Sequence, residues 1–363
     1  MYKKMIQHQI FFDFLRFSIG SESEIPDSLI EADWKELYRI AQKQCLVGIL
    51  FDGIQRLPSS NVGISRDLLL QWMAQSKMLE KANVQLNDAA ILVSEWFRKK
   101  GFRTCILKGQ GNALLYPNPY SRTPGDIDIW VEGGDKRVIS FVRSISPHEK
   151  ACYHHIEFPS YKGVEVEVHY RPSFLLCFWH NRKLQKYYER VKEEQFSHRV
   201  MLGEQGEIAI PTVEFNLIFQ LTHIYAHLMN EGIGLRQLLD YYFVLQHADI
   251  KDLTELQRNL KHFGLWKFAG AIMYIMHEVF GMPASRLIVP LNEKYGNFVL
   301  NEVLEAGNFG SYDKRNRFGK SQLGHNLQRV YRDIRLIKYF PAEALSEPIF
   351  RVWHFFWRMK NKK

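Results

Sequence analysis

Cysteine is scarce. The four in 363 residues, Cys45, Cys105, Cys152 and Cys177, form no Cys-x-x-Cys pair. That spacing speaks against both a disulfide framework and a thiolate zinc site, and a reduced, cytoplasmic setting is the simplest expectation. Long apolar runs are also missing, since none reaches the ~18 residues that a membrane-crossing helix needs. An apolar patch follows Lys3 and Lys4, but Asp13 and Arg16 interrupt it and no small-residue cleavage site comes after, so no signal peptide is expected. Neither an internal repeat nor a low-complexity linker is visible.

What is present fits a globular chain long enough for two or three packed units. Hydrophobic residues make up 46% and charged residues 24%, and the 14% of aromatics, many at helical spacing, are expected to fill cores. The net charge of +9 suits an anionic partner, whether nucleotide, nucleic acid or membrane surface, without choosing among them. Part of it lies in the tail, where Arg358, Lys360, Lys362 and Lys363 follow Trp353-His354-Phe355-Phe356-Trp357. A docked last helix with a solvated basic end is expected there, with a membrane-surface or RNA contact as the other reading.

Periodicity divides the chain into helical, mixed and helical parts, at residues 1–100, 101–205 and 206–363. Leu68, Trp72, Leu79, Leu86, Val93 and Phe97 predict a helix over 67–100, closed by Arg98-Lys99-Lys100-Gly101. Strands are expected at 104–107 and 126–131, helices at 110–116 and 136–144, and a strand pair at 153–158 and 164–170 turning at 160–163. From Thr212 onward the pattern is helical again.

One segment reads as chemistry rather than packing. Ile106-Leu107 runs into the turn Lys108-Gly109-Gln110-Gly111, and Arg122 precedes Asp126-Ile127-Asp128. Side chains alternate along a strand, so Asp126 and Asp128 point the same way. Two adjacent carboxylates repel and raise each other's pKa unless a cation lies between them, which suggests a divalent metal. Glycines let backbone approach a phosphate closely. Downstream, Glu165, Glu167 and His169 share one strand face.

This constellation resembles the polymerase-beta-like nucleotidyltransferase superfamily, and within it a large, uncharacterised bacterial branch. The resemblance rests on Leu107-Lys108-Gly109, Tyr116, Arg122, Asp126-Ile127-Asp128 and Glu167-Val168-His169-Tyr170, in that order, and on residues 231–240 downstream. It covers residues 103–171 well. The N-terminal third matches only in being helical. Two departures stand out. Gln110 replaces the serine or glycine that many relatives carry after the turn glycine, and the third carboxylate is Glu rather than Asp.

The resemblance implies an α+β fold, with a small mixed-sheet nucleotidyltransferase core flanked by helical regions. It implies Mg²⁺ (or Mn²⁺) held by Asp126, Asp128 and Glu167, and an NTP whose phosphates meet Lys108, Gly109, Gln110 and Arg122. NMP would pass to a hydroxyl acceptor, a small molecule or protein before nucleic acid, with release of pyrophosphate. A noncatalytic nucleotide- or RNA-binding relative is the alternative. His169 is expected to support a carboxylate. His223 and His227, four apart, are expected to line the cleft rather than bind zinc. Arg236 and Asp240 have the spacing of a helix ion pair, and His154-His155 reads as ordinary strand content.

Overall fold

The computed structural model describes residues 2–58, 63–204, 206–315, 318 and 322–361. Lys362 and Lys363 of the basic tail lie outside them. Four helices come first, α1 (Tyr2–Ile19), α2 (Trp34–Gln44), α3 (Val47–Gln55) and α4 (Arg66–Lys99). The mixed unit follows as β1 (Thr104–Leu107), α5 (Gly109–Ala113), β2 (Ile127–Val131), α6 (Gly134–Ile145), β3 (His155–Tyr161), β4 (Val164–His169), α7 (Phe178–Ser197), β5 (Arg199–Leu202) and β6 (Gly206–Ala209). The rest is helical: α8 (Val213–Asn230), α9 (Leu235–His247), α10 (Leu253–His262), α11 (Trp266–Glu278), α12 (Glu293–Ala306), α13 (Gln322–Leu336) and α14 (Pro341–Lys360).

The chain is therefore α+β, with a small mixed sheet between helical flanks. The expected strands and helices around the motif are present within a few residues. The 20-residue α7 and the β5–β6 hairpin were not anticipated. Polar and charged residues dominate α7, which buries only a few positions such as Leu184, Tyr188 and Phe196, so its apolar periodicity is faint.

Strand order in the main sheet is β1-β2-β4-β3, with β2 and β4 parallel and the other pairs antiparallel. Alternation sorts the side chains onto two faces. Ile106, Ile127, Ile129, Val131, Val166, Val168 and Ile156 enter one core with α4 and α6. Cys105, Leu107 and Trp130 enter the other, larger core with Phe215 and Phe219 of α8. Asp128, Glu167 and His169 share the face of Leu107 and Trp130, because Leu107 pairs with Asp128, Asp128 with Glu167, and Trp130 with His169.

α4 links the N-terminal helices to this sheet. Ser65 caps its start by accepting from the Leu68 amide. The Trp72 indole donates to Val47 O at 2.9 Å in one core, while Phe97 packs in the other. Midway, the buried Asn83 amide donates to Tyr120 O (2.9 Å) and Arg122 O (2.7 Å), tying the approach to β2 onto the helix. α3 presses on the same segment from the other side: a Cβ on Gly48 would overlap the Ser121 carbonyl. Gly48→Ala is therefore expected to destabilise the protein by about 1–3 kcal/mol through overpacking. Chemical denaturation measures it, and an unchanged midpoint would show that this contact gives way freely.

Candidate active site

β1 ends in an abrupt turn. Lys108 has φ +52° and Gly109 φ +41°. A lysine in that region is strained by about 1–3 kcal/mol, a cost typical of residues whose position matters. The turn throws the Lys108 side chain back across the sheet, where Nζ sits 2.7 Å from Asp128 Oδ2 and 3.1 Å from His223 Nε2 of α8. His169 Nε2 lies 2.8 Å from the other oxygen, Asp128 Oδ1. Asp128 is thus a buried carboxylate with a cationic group on each oxygen.

Asp126, Asp128 and Glu167 each offer an oxygen, all within 4.8 Å of one another. Asp126 lies one residue before β2 and faces the same way as Asp128. No ion pair reaches it among the described residues. Glu167 is half-buried, with His155 Nδ1 at 3.3 Å and His169 Nε2 at 3.4 Å from its Oε2. Glu165 is exposed at the open end of β4 and stands outside this group.

The charges are uneven across the cluster. Burial opposes a charged Asp128, but Lys108 and His169 outweigh it and hold the carboxyl well below its usual range. Burial likewise opposes a charged His169, yet its bonds to Asp128 and Glu167 push it up to about 9. Burial would raise Glu167, and the His169 hydrogen bond brings it down. Asp126 goes the other way, raised first by Asp128 and then by burial. Three carboxylates meet two internal cations, and the deficit falls on Asp126. An oxygen-only donor set short of positive charge fits a hard divalent cation such as Mg²⁺.

The other expected contacts are distributed differently. Gln110 is buried and turns away from the carboxylates, donating to Asn87 Oδ1 of α4 at 3.0 Å, so only its backbone faces the turn. Arg122 is buried in a two-pronged pair with Asp240 of α9, Nε–Oδ1 2.7 Å and Nη2–Oδ2 2.8 Å, and Tyr116 donates to the same carboxylate at 2.6 Å. The expected Arg236–Asp240 helix pair is replaced by this one. Arg236 instead donates to the carbonyls of Thr123 (3.1 Å) and Pro124 (3.2 Å), lies 5.5 Å from the Phe309 ring, and keeps a buried Nε without a partner. It borders the space in front of Lys108, Asp126 and Asp128, a cavity of about 40 Å³ also walled by His223 and Phe309.

Histidines contribute more than the spacing suggested. His223 lines the cleft beside Lys108, with His227 2.9 Å behind it, and neither belongs to a metal-competent group among the described residues. Burial, then Lys108, holds His223 neutral. His155, read as plain strand content, touches Glu167. Its pairing with His169 across β3 and β4 is the signal that would have found it, and that needs the strand register.

Two substitutions separate the arginines. Arg122→Gln leaves Asp240 buried and unpaired and is expected to cost about 3–5 kcal/mol of stability. Arg236→Gln disrupts no ion pair, only the hydrogen bonds to Thr123 O and Pro124 O, and is expected to cost less, about 1–2 kcal/mol, while weakening nucleotide binding. Equal losses of stability in denaturant titrations would contradict that division. The charged His169 also gives a pH test. Its pKa is raised on folding from 6.5 to about 9, so its stabilisation is complete below the unfolded value and is lost as pH rises through the folded one. Metal-free protein should melt at progressively lower temperature as pH climbs from about 7 past about 9, and His169→Asn should flatten that slope.

Among solved structures, an antigenic nucleotidyltransferase-like protein from Paracoccidioides brasiliensis is similar at 13% identity, over 57% of this chain and 94% of that one, with a TM-score of 0.34. No curated protein matches. The sequence profile of a family described as "Uncharacterised nucleotidyltransferase" matches residues 31–281, a span that includes every residue of the candidate site except Phe309. The match extends over more than half of the chain, which belongs to that nucleotidyltransferase family.

Proposed function

We propose that the protein is a Mg²⁺-dependent nucleotidyltransferase of the polymerase-beta-like type, from the bacterial branch its motif resembles, moving NMP from an NTP to a hydroxyl acceptor. The observation that carries this reading is the group formed by Asp126, Asp128 and Glu167, with no ion pair on Asp126 among the described residues. On its four scattered cysteines we place it in a reduced, cytoplasmic setting.

Asp126, Asp128 and Glu167 would hold the metal. Bound there, Mg²⁺ (or Mn²⁺) supplies neutralisation of triphosphate charge and a lower pKa for the attacking hydroxyl. The side chains do the rest. Lys108 has a flexible stem and can exchange Asp128 for a phosphate oxygen. The backbone of Gly109 and Gln110 lets phosphate approach closely. Arg236 brings a second cation to the same space, while Arg122 acts from behind by holding Asp240, Tyr116 and the approach to β2. His169 keeps Asp128 and Glu167 ionised and aimed. Glu167, whose Oε2 meets both His155 and His169, would accept the acceptor's proton. The leaving group is pyrophosphate. A cavity of about 40 Å³ is too small for a nucleotide, so the walls formed by Arg236, His223 and Phe309 part on binding.

The test is a thermal-shift panel of the four NTPs with Mg²⁺ or Mn²⁺, followed by a pyrophosphate-release screen of hydroxylated small molecules and proteins. Asp126→Ala should keep the fold and abolish both responses. Asp128→Ala or Asp128→Asn should also lose about 3–5 kcal/mol of stability, because either leaves Lys108 and His169 buried without their anion, so Asp126→Ala is the cleaner probe. A well-folded wild type whose melting ignores every NTP with metal would refute the proposal. A noncatalytic nucleotide- or RNA-binding role is the second reading, favoured by the two internal cations already on Asp128. Salt-dependent RNA binding that survives Asp128→Asn, without NTP turnover, would select it.

A further inference from the structure

One loop beside the carboxylate group gathers donors of a different kind. Between Ala151 and Ile156, which form an isolated bridge, the chain turns through Cys152, His154 and His155. Each of the three offers one ligand atom, all within 4.8 Å of one another. Cys152 Sγ lies 3.9 Å from His154 Nδ1, and His154 Nε2 lies 3.0 Å from His155 Nδ1. A tetrahedral zinc ion sets its sulfur and nitrogen donors roughly 3.3–3.6 Å apart. The donors thus surround a common point, and side-chain rotation aims them at one ion.

The backbone beneath them is tied down. Cys152 N donates to His155 O at 2.9 Å, and His154 O accepts from the amides of Tyr170 (3.0 Å) and Arg171 (3.2 Å). The Tyr170 hydroxyl bonds Cys152 O and lies 3.2 Å from His155 O. The loop therefore holds its shape without a metal, which lowers the ordering cost of binding one. Cys152 and His154 line a cavity of about 850 Å³, and Cys152 and His155 a second of about 620 Å³, so an ion can reach the donors. Arg358 borders both cavities. The site relies on thiolate and imidazole donation rather than on surrounding negative charge.

We propose that Cys152, His154 and His155 form a binding site for Zn²⁺. Thiolate and imidazole select zinc over Mg²⁺, which keeps this set chemically apart from the oxygens of Asp126 and Asp128. Cys152 loses its thiol proton to solvent as the sulfur–metal bond forms. Three protein ligands leave a fourth position to water. Two neighbouring groups of metal-competent atoms are already engaged. Glu343, beside Cys177 and His180, accepts from the amides of Leu176 (2.6 Å) and Cys177 (3.3 Å). His169, beside His155 and Glu167, is bonded to Asp128. The proposal does not depend on the nucleotidyl-transfer reading, although His155 also touches Glu167.

Titration of the metal-free full chain with Co²⁺, followed by absorbance, tests it. The wild type should develop a sulfur-to-cobalt charge-transfer band and the strong visible absorption of a tetrahedral site. Equimolar Zn²⁺ should bleach both, and excess Mg²⁺ should not. Cys152→Ser should abolish the charge-transfer band, and His154→Gln should weaken Co²⁺ binding by about tenfold or more. Cys177→Ser and Asp126→Ala should keep the wild-type spectrum. Zn²⁺ should also slow alkylation of Cys152 in the unmutated protein, read by peptide mass, a measurement that needs no variant to fold. A wild type without the charge-transfer band would overturn the proposal. So would a band that survives Cys152→Ser or disappears with Cys177→Ser, and so would alkylation of Cys152 that ignores Zn²⁺.

Discussion

A single buried carboxylate organises the centre of this protein. Asp128 cannot remain charged among Leu107, Trp130 and α8 unless cations meet it, because an isolated buried charge costs far more than folding can supply. Lys108 and His169 meet it, one on each oxygen. Lys108 comes from the end of β1 and reaches its place only through a strained turn. His169 comes from the end of β4, two positions beyond the Glu167 that the parallel register sets beside Asp128. Three strands are thereby keyed together at the ends that carry the candidate site, and a slip of one residue in any of them would leave a buried charge unmatched.

A second buried pair does the same at a larger scale. Arg122–Asp240, with Tyr116 on the same carboxylate, joins the approach to β2 to α9. Asn83 and Gly48 hold that approach from the N-terminal side. The walls of the site therefore come from distant parts of the chain, and the larger apolar core runs from α1 to α14 without a break at the sheet. Substitutions far from Asp128 in sequence can reach it through the two ion pairs.

The positive charge of the chain is spread over unlike tasks. Arg122 and Arg332 are buried and serve neighbours within the fold, while Arg236 stands at the cleft with a buried donor unused. Arg329 of α13 turns to the buried Glu347 of α14. A net charge thus says that anions are favoured somewhere, and only placement separates the cations that serve the fold from the one that faces the cleft.

How far the sequence reached follows from the range of each interaction. Alternation and helical periodicity are local, so β1, β2, β4, α4 and the α+β layout were legible, as were Asp126 and Asp128 on one strand face, whereas Glu167 joined them only through the family resemblance, since its place depends on the parallel register of β2 and β4. Lys108 was legible as part of a turn. Its contact with Asp128 was not, because that depends on a strained dihedral and on strand pairing. Arg122 and Gln110 were assigned to phosphate by position in a motif, yet burial commits one to Asp240 and the other to Asn87, partners 118 and 23 residues away. The i,i+4 spacing of Arg236 and Asp240 is equally local, and a competing buried partner overrode it. By itself, then, the sequence determined which strands form and which carboxylates share a face, because both follow from backbone geometry over a few residues. Which cation meets which carboxylate was decided only by the tertiary structure, since a buried charge is matched by whatever the fold brings to it.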